Sequence, residues 1–147
     1  MSNDICQWIE THADFVPEKL AVRFEGREIT YRQLLSQIES TAAILKASRD
    51  IGRGDRIAYL GFNSPEMLVL FFACARLGAL LLPLNWRLTL SEQTYILENA
   101  AARMLVCDDD HVAIGHQISE TVPGCEVCNH ADITAVTDDM QGRVTRN

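Results

Sequence analysis

The chain has 147 residues, enough for one domain with its own core and too few for two ordinary ones. Apolar residues make up 48% and charged residues 22%, the balance of a soluble globular protein. Thirteen Lys and Arg against twenty Asp and Glu leave a formal charge of −7, and the basic residues are scattered singly, which argues against a nucleic-acid partner.

The opening MSNDICQWIETHADF has no positively charged start, no apolar core and no small-residue cleavage site, so it does not read as a signal peptide. Five cysteines, an odd number, fit a reducing compartment better than a disulfide framework, and the expected location is the cytoplasm. Ile5 to Phe15 reads as a first helix, ended by Pro17. Leu20–Phe24 and Arg27–Ile29 read as two short strands around a tight turn at Glu25-Gly26.

A long amphipathic helix follows. Thr30 with Gln33 forms a capping box, and Ile29 with Leu34 a hydrophobic staple. Tyr31, Leu34, Leu35, Ile38, Ala42 and Leu45 recur at helical spacing and leave Arg32, Gln37, Glu39 and Lys46 outward. The sequence IGRGD then turns the chain into an apolar strand, Arg56 to Phe62.

The run MLVLFFACARLGALLLPL, Met67 to Leu84, approaches the length of a membrane span. Arg76 in its middle would cost roughly 2.5–3.5 kcal/mol at a bilayer centre, and Gly78 and Pro83 interrupt a continuous helix. Ser64 as cap, Pro65 in the first helical position and Glu66 beside the positive helix end give a better account. Pro65–Leu77 is therefore expected to be a buried helix closed by Gly78. Ala79–Leu84 is expected to be a parallel strand covered on both faces. No transmembrane segment is expected.

A second capping box, Thr89 and Glu92, opens the next helix in TLSEQTYILENA. Arg103–Cys107 reads as a strand, and Asp108–Asp110 as the start of a helix toward Val122. From Asn129 the periodicity is lost, and loop or disorder is expected. Strands alternating with helices at this spacing define an α/β fold, a mostly parallel sheet with flanking helices.

The pieces ITYRQLL, GRGDRIAYLGFNSPEMLVLFFACARLGALLLPLNWRLT and EQTYILENAAARMLVCD stand in this order. Together they resemble the N-terminal part of the AMP-forming acyl-CoA synthetases and their adenylate-forming relatives. The run Pro83–Thr89, PLNWRLT, is most similar to branches that act on fatty or aromatic acids. The resemblance implies that residues 1–128 are an incomplete N-terminal portion of the large domain of such a ligase, followed by a loop or disordered tail at 129–147. It also implies a parent activity in which a carboxylic acid and ATP form an acyl-adenylate that is passed to coenzyme A. ATP, Mg2+ and CoA belong to a complete enzyme of that kind, and so does the acid substrate.

The phosphate loop, acidic motif and catalytic lysine that the resemblance implies have no counterpart in these residues. Gly52-Arg53-Gly54 lacks the third glycine and the Lys-Ser/Thr of a phosphate cradle and reads as a turn. No catalytic, cofactor-binding or metal-ligating residue is therefore assigned, no bound cofactor is expected, and the chain alone is expected to be inactive. Asn63, Ser64 and Pro65 read as a strand end and helix cap. Asn85, Trp86 and Arg87 follow the carboxyl end of a strand, where ligands of open sheets bind, but a structural role is favoured. Trp86 would close the core edge, and Arg87 would pair with a carboxylate.

The alternative is a free-standing, non-catalytic binding module. Within it, Cys125, Cys128 and His130, with His111 and His116 upstream, have spacing that permits a small structural zinc site. The simpler reading puts His111 and His116 on a solvated helix face and the cysteines near a loop. An incomplete sheet would leave an uncovered edge, with self-association as its consequence.

Overall fold

The computed structural model describes residues 3–134. Helix α1 (Asn3–Phe15) leads into strands β1 (Leu20–Phe24) and β2 (Arg27–Thr30), which pair as an antiparallel hairpin. Glu25 and Gly26 make its turn with φ of 49° and 81°, the left-handed pair that two-residue hairpins favour. Helix α2 (Tyr31–Arg49) starts at the expected capping box. Thr30 Oγ1 accepts from the Gln33 amide, and Gln33 Oε1 accepts from the Thr30 amide. Ile29 and Leu34 share one buried cluster, as the staple requires.

The chain continues through β3 (Arg56–Leu60), α3 (Pro65–Leu77), β4 (Leu80–Leu84), α4 (Leu90–Ala100), β5 (Met104–Cys107), α5 (Val112–Ser119) and β6 (Glu126–Asn129). These four strands form a parallel sheet in the order β4-β3-β5-β6. Side chains alternate across the sheet. Ile57, Tyr59, Met104 and Val106 join α2 and α3 residues such as Leu45, Leu70 and Ala73 on one face. Ala58, Leu60, Leu105 and Cys107 join Leu97 of α4 and Ile118 of α5 on the other. Outside the first layer, Ile9 of α1 and Ile29 of the hairpin cover Leu34, Ile38, Val69 and Phe72.

The long apolar run is a helix, a turn and a strand, as expected. Ser64 Oγ accepts from the Met67 amide at 3.3 Å, Pro65 takes the first helical position, and Gly78 closes α3 at φ 76°. Arg76 is tolerated in this run because it lies on the outer side of α3. There Glu10 and Glu39 meet its guanidinium at 3.1 and 3.4 Å. Among the described residues no helix is long and apolar enough to cross a membrane.

Several boundaries differ from expectation. Strand β3 ends at Leu60, two residues early. Strand β4 is an edge strand and is not covered on both faces, with Leu80 58% exposed. Its outer edge is nevertheless blunted. The Leu80 amide donates inward to Asp55 O, so alternation turns the Leu81 and Pro83 positions outward, and proline has no amide to offer. Helix α5 starts at Val112, later than Asp108–Asp110 suggested. The stretch read as loop from Asn129 contains the last residue of β6 and a 3-10 turn, His130–Asp132. Residues 135–147 of that stretch lie outside the described residues.

Helix α5 approaches β5 closely because Gly115 has no side chain. A Cβ there would lie 2.5 Å from Cys107 Sγ. Gly115→Ala is therefore expected to destabilise the fold by about 1–3 kcal/mol, even though alanine is the better helix former. In a Cys107→Ala background the same change should cost much less. Urea unfolding of the four chains checks this, and an equal cost in both backgrounds contradicts the contact.

Candidate functional site

Parallel strands end together, so the loops after β3, β4 and β5 open on one edge of the sheet. Strand β3 feeds α3 on one face, while its neighbour β5 feeds α5 on the other. Diverging connections of this kind leave a crevice at the carboxyl ends of the strands, the usual ligand position in open α/β sheets.

Asp108 ties the crevice together. Its Oδ2 accepts from the Phe62 amide at 2.8 Å, joining the loop after β3 to the end of β5. Its Oδ1 accepts from the His111 amide at 3.0 Å and from His111 Nδ1 at 2.6 Å. A carboxylate can only accept, so Nδ1 carries the proton and a neutral ring keeps Nε2 as an acceptor. Gly61 makes room for this junction. A Cβ on it would stand 2.7 Å from the Asp108 carboxyl group and from the Tyr59 hydroxyl. Tyr59 in turn donates to Phe62 O at 3.0 Å, and burial pushes its phenol pKa up.

Three rings stand over this junction. Phe62 meets Trp86 edge to face at 5.1 Å and His111 at 4.7 Å, and Trp86 lies 6.0 Å from His111. The guanidinium of Arg87 sits 5.0 Å from the centre of the Trp86 ring. The expectation for Trp86 thus holds in part: it packs at the sheet edge but stays 41% exposed. Arg87 lies over a ring, where a carboxylate partner was expected. Asn85 shapes the loop locally, its Oδ1 accepting from the Arg87 amide and its carbonyl from the Leu88 amide. Ser64 caps α3, and Asn63 and Ser64 also border an apolar groove of about 280 Å³ formed by Met67, Leu68, Phe71 and Leu81.

His111 is buried at 7% exposure, in contrast to the solvated face expected for it, whereas His116 is exposed. The burial follows from tertiary contact with Phe62 and Asp108, far away in sequence or hidden in a turn. Sequence spacing had one usable signal, an Asp three residues before the His at a strand end.

The cysteines and histidines weighed for zinc do not converge. Cys125 packs in the cluster on the α4–α5 face of the sheet, and Cys128 in the cluster on the α2–α3 face. Among the described residues no group of three or more His, Cys, Asp or Glu gathers as a metal site. Burial is the largest influence on the Cys125 and Cys128 thiols and pushes both up, Cys128 to about 11. Gly52-Arg53-Gly54 forms the expected turn, held by Asp55, whose Oδ2 accepts from the Gly52 amide at 2.8 Å.

A triphosphate would need cations and unshared amides. The loops Gly61–Ser64, Asn85–Thr89 and Asp108–His111 contain one basic side chain apart from His111, Arg87, and the Phe62 and His111 amides already serve Asp108. The donor set of this crevice does not fit a nucleotide phosphate chain.

A family model described as AMP-binding enzyme matches residues 9–145. The chain is 44% identical over 110 residues to the indoleacetate–CoA ligase of Aromatoleum aromaticum, a match that covers 75% of this chain and 21% of the relative. It is 40% identical over 106 residues to a fatty acid–[acyl-carrier-protein] ligase of Streptomyces coeruleorubidus, covering 72% and 20%. Among solved structures, o-succinylbenzoate CoA synthetase of Bacillus subtilis, in complex with its acyl-adenylate intermediate, superposes with a TM-score of 0.75 at 25% identity. That match covers 86% of this chain and 32% of the synthetase. The N-terminal subdomain of Klebsiella oxytoca NpsA superposes with a TM-score of 0.73 at 26% identity, covering 88% and 31%. The chain thus spans about a fifth of the curated relatives it matches.

Because Asp108 joins two loops and the His111 ring, Asp108→Ala should cost on the order of 2–3 kcal/mol. It should also release Phe62 and Trp86 from their edge-to-face contact. Thermal unfolding and the emission maximum of Trp86 in a Trp8→Phe background measure the two effects. An unchanged melting temperature with unshifted emission would show that the junction does not hold the rings.

Proposed function

The chain belongs to the AMP-binding enzyme family, and we propose that its residues form the N-terminal scaffold layer of an acid-activating ligase. In such a ligase a fatty or aromatic carboxylic acid reacts with ATP to give an acyl-adenylate and pyrophosphate, and the acyl group then passes to coenzyme A. The observation that supports this reading is the superposition of the described fold on about a third of o-succinylbenzoate CoA synthetase. What these residues contribute is a rigid sheet whose carboxyl edge holds Phe62, Trp86 and His111 in place.

Adenylation itself needs groups that the crevice lacks, above all a cradle for phosphates. ATP and Mg2+ would therefore be held by residues that relatives carry outside the matched fifth. The free-standing binding module is the other reading, and the same experiment separates them.

We further propose that the chain alone associates with itself. Pro83 weakens strand-to-strand pairing at the β4 edge, so the contact would use the groove of Met67, Leu68, Phe71 and Leu81.

Purified chain is expected to give no carboxylate-dependent ATP–pyrophosphate exchange. Joined to the remaining four-fifths of the Aromatoleum aromaticum ligase in place of the matched segment, it is expected to give exchange well above either part. Exchange by the chain alone contradicts its scaffold role, and silence of a folded chimera favours the binding module. Sedimentation should show concentration-dependent association that Phe71→Glu abolishes; a wild-type monomer at all concentrations contradicts the groove contact.

A further inference from the structure

A second hollow, separate from the groove beside α3, lies between the loop after β4 and helix α5. It encloses about 200 Å³ and is lined by the Trp86 and His111 rings, Leu60, Ile114 and two carboxamides, Gln93 and Gln117. Gln93 is 2% exposed, an unusual burial for a carboxamide on an amphipathic helix. Its Nε2 donates to Asn85 O at 3.2 Å, which fixes the orientation of the amide. That orientation leaves Oε1 buried and without a partner. A buried acceptor with no donor is costly, and a molecule bringing a donor to it relieves the cost.

We propose that this hollow is a binding subsite for a small neutral aromatic molecule bearing an O–H or N–H donor. The ring packs against Trp86 and Ile114, and the donor reaches Gln93 Oε1, which the free chain seals from water, by displacing the side chains over it. The size suits a single ring or a fused pair, below the range of drug-sized ligands. The lining contains no Lys or Arg to take a carboxylate or phosphate and no Asp or Glu to take a cation, so the ligand is uncharged and differs from both the acid and the nucleotide of the ligase reaction. The inference does not rest on the ligase reading, because it needs only the described fold.

Phenol and toluene are the probes, since they share a ring and differ in the donor. The two tryptophans give separate indole N–H signals in a proton–nitrogen correlation spectrum of labelled chain. Trp86 borders the hollow, while Trp8 packs against His12 and Tyr31 in α1 and α2 and serves as an internal control. Phenol should move the Trp86 signal saturably, leave Trp8 in place, and bind about three- to tenfold more tightly than toluene, the span of one neutral hydrogen bond. Gln93→Leu should reduce phenol to the level of toluene. Ile114→Trp, on a side chain 41% exposed, should fill the hollow and remove both responses without unfolding the chain. The proposal is overturned if phenol leaves Trp86 unmoved at millimolar concentration or moves Trp8 equally. It is also overturned if Ile114→Trp binds phenol as wild type does, or if folded Gln93→Leu keeps the preference for phenol.

Discussion

Two adjacent strands carry the structure. Every side chain from Ile57 to Leu60 in β3 and from Met104 to Cys107 in β5 is at most 1% exposed, on both faces of the sheet. A strand in that position cannot be half solvated, so helices must cover each face, and parallel pairing then requires a crossover between every pair of neighbours. Helices α2 and α3 close one side and α4 and α5 the other. The helix–turn–strand form of the apolar run is a consequence, because α3 is the lid of one face and β4 the flank of β3.

The same constraint builds the crevice. Since β3 and β5 lie side by side while α3 and α5 lie on opposite faces, their loops separate at the carboxyl ends of the strands. Asp108 bridges that gap with three accepted hydrogen bonds, and Gly61 gives it space. The rings of Phe62, Trp86 and His111 are then brought together from three loops. Apart from His111, Arg87 is the one basic side chain in these loops, and the chain spans a fifth of its ligase relatives.

Features encoded within one turn of chain were legible in the sequence. Both capping boxes, the Ser64-Pro65 start of α3 and the Gly78 stop involve residues at most four apart, and each stands where it was expected. Features set by strand order were not. Leu80–Leu84 has the composition of a central strand, and only its place at the end of the order β4-β3-β5-β6 leaves it half open. Strand β6 was hidden because Glu126 and Asn129 break its apolar pattern, and Cys128 within it and Cys125 just before it invited a metal reading. Their alternation in the strand region sends Cys125 and Cys128 to opposite faces. His111 is buried by Phe62 and Trp86, partners that no local pattern announces.

Native-state hydrogen exchange measures the double-faced burial of β3 and β5 most directly. The amides of Ala58, Tyr59, Leu105 and Val106 should exchange slowest of all, through global unfolding alone, while those of α1 and the hairpin exchange through smaller openings. If the β3 and β5 amides exchanged as fast as those of α1 in a chain that remains folded, the sheet would not be the element on which the rest depends.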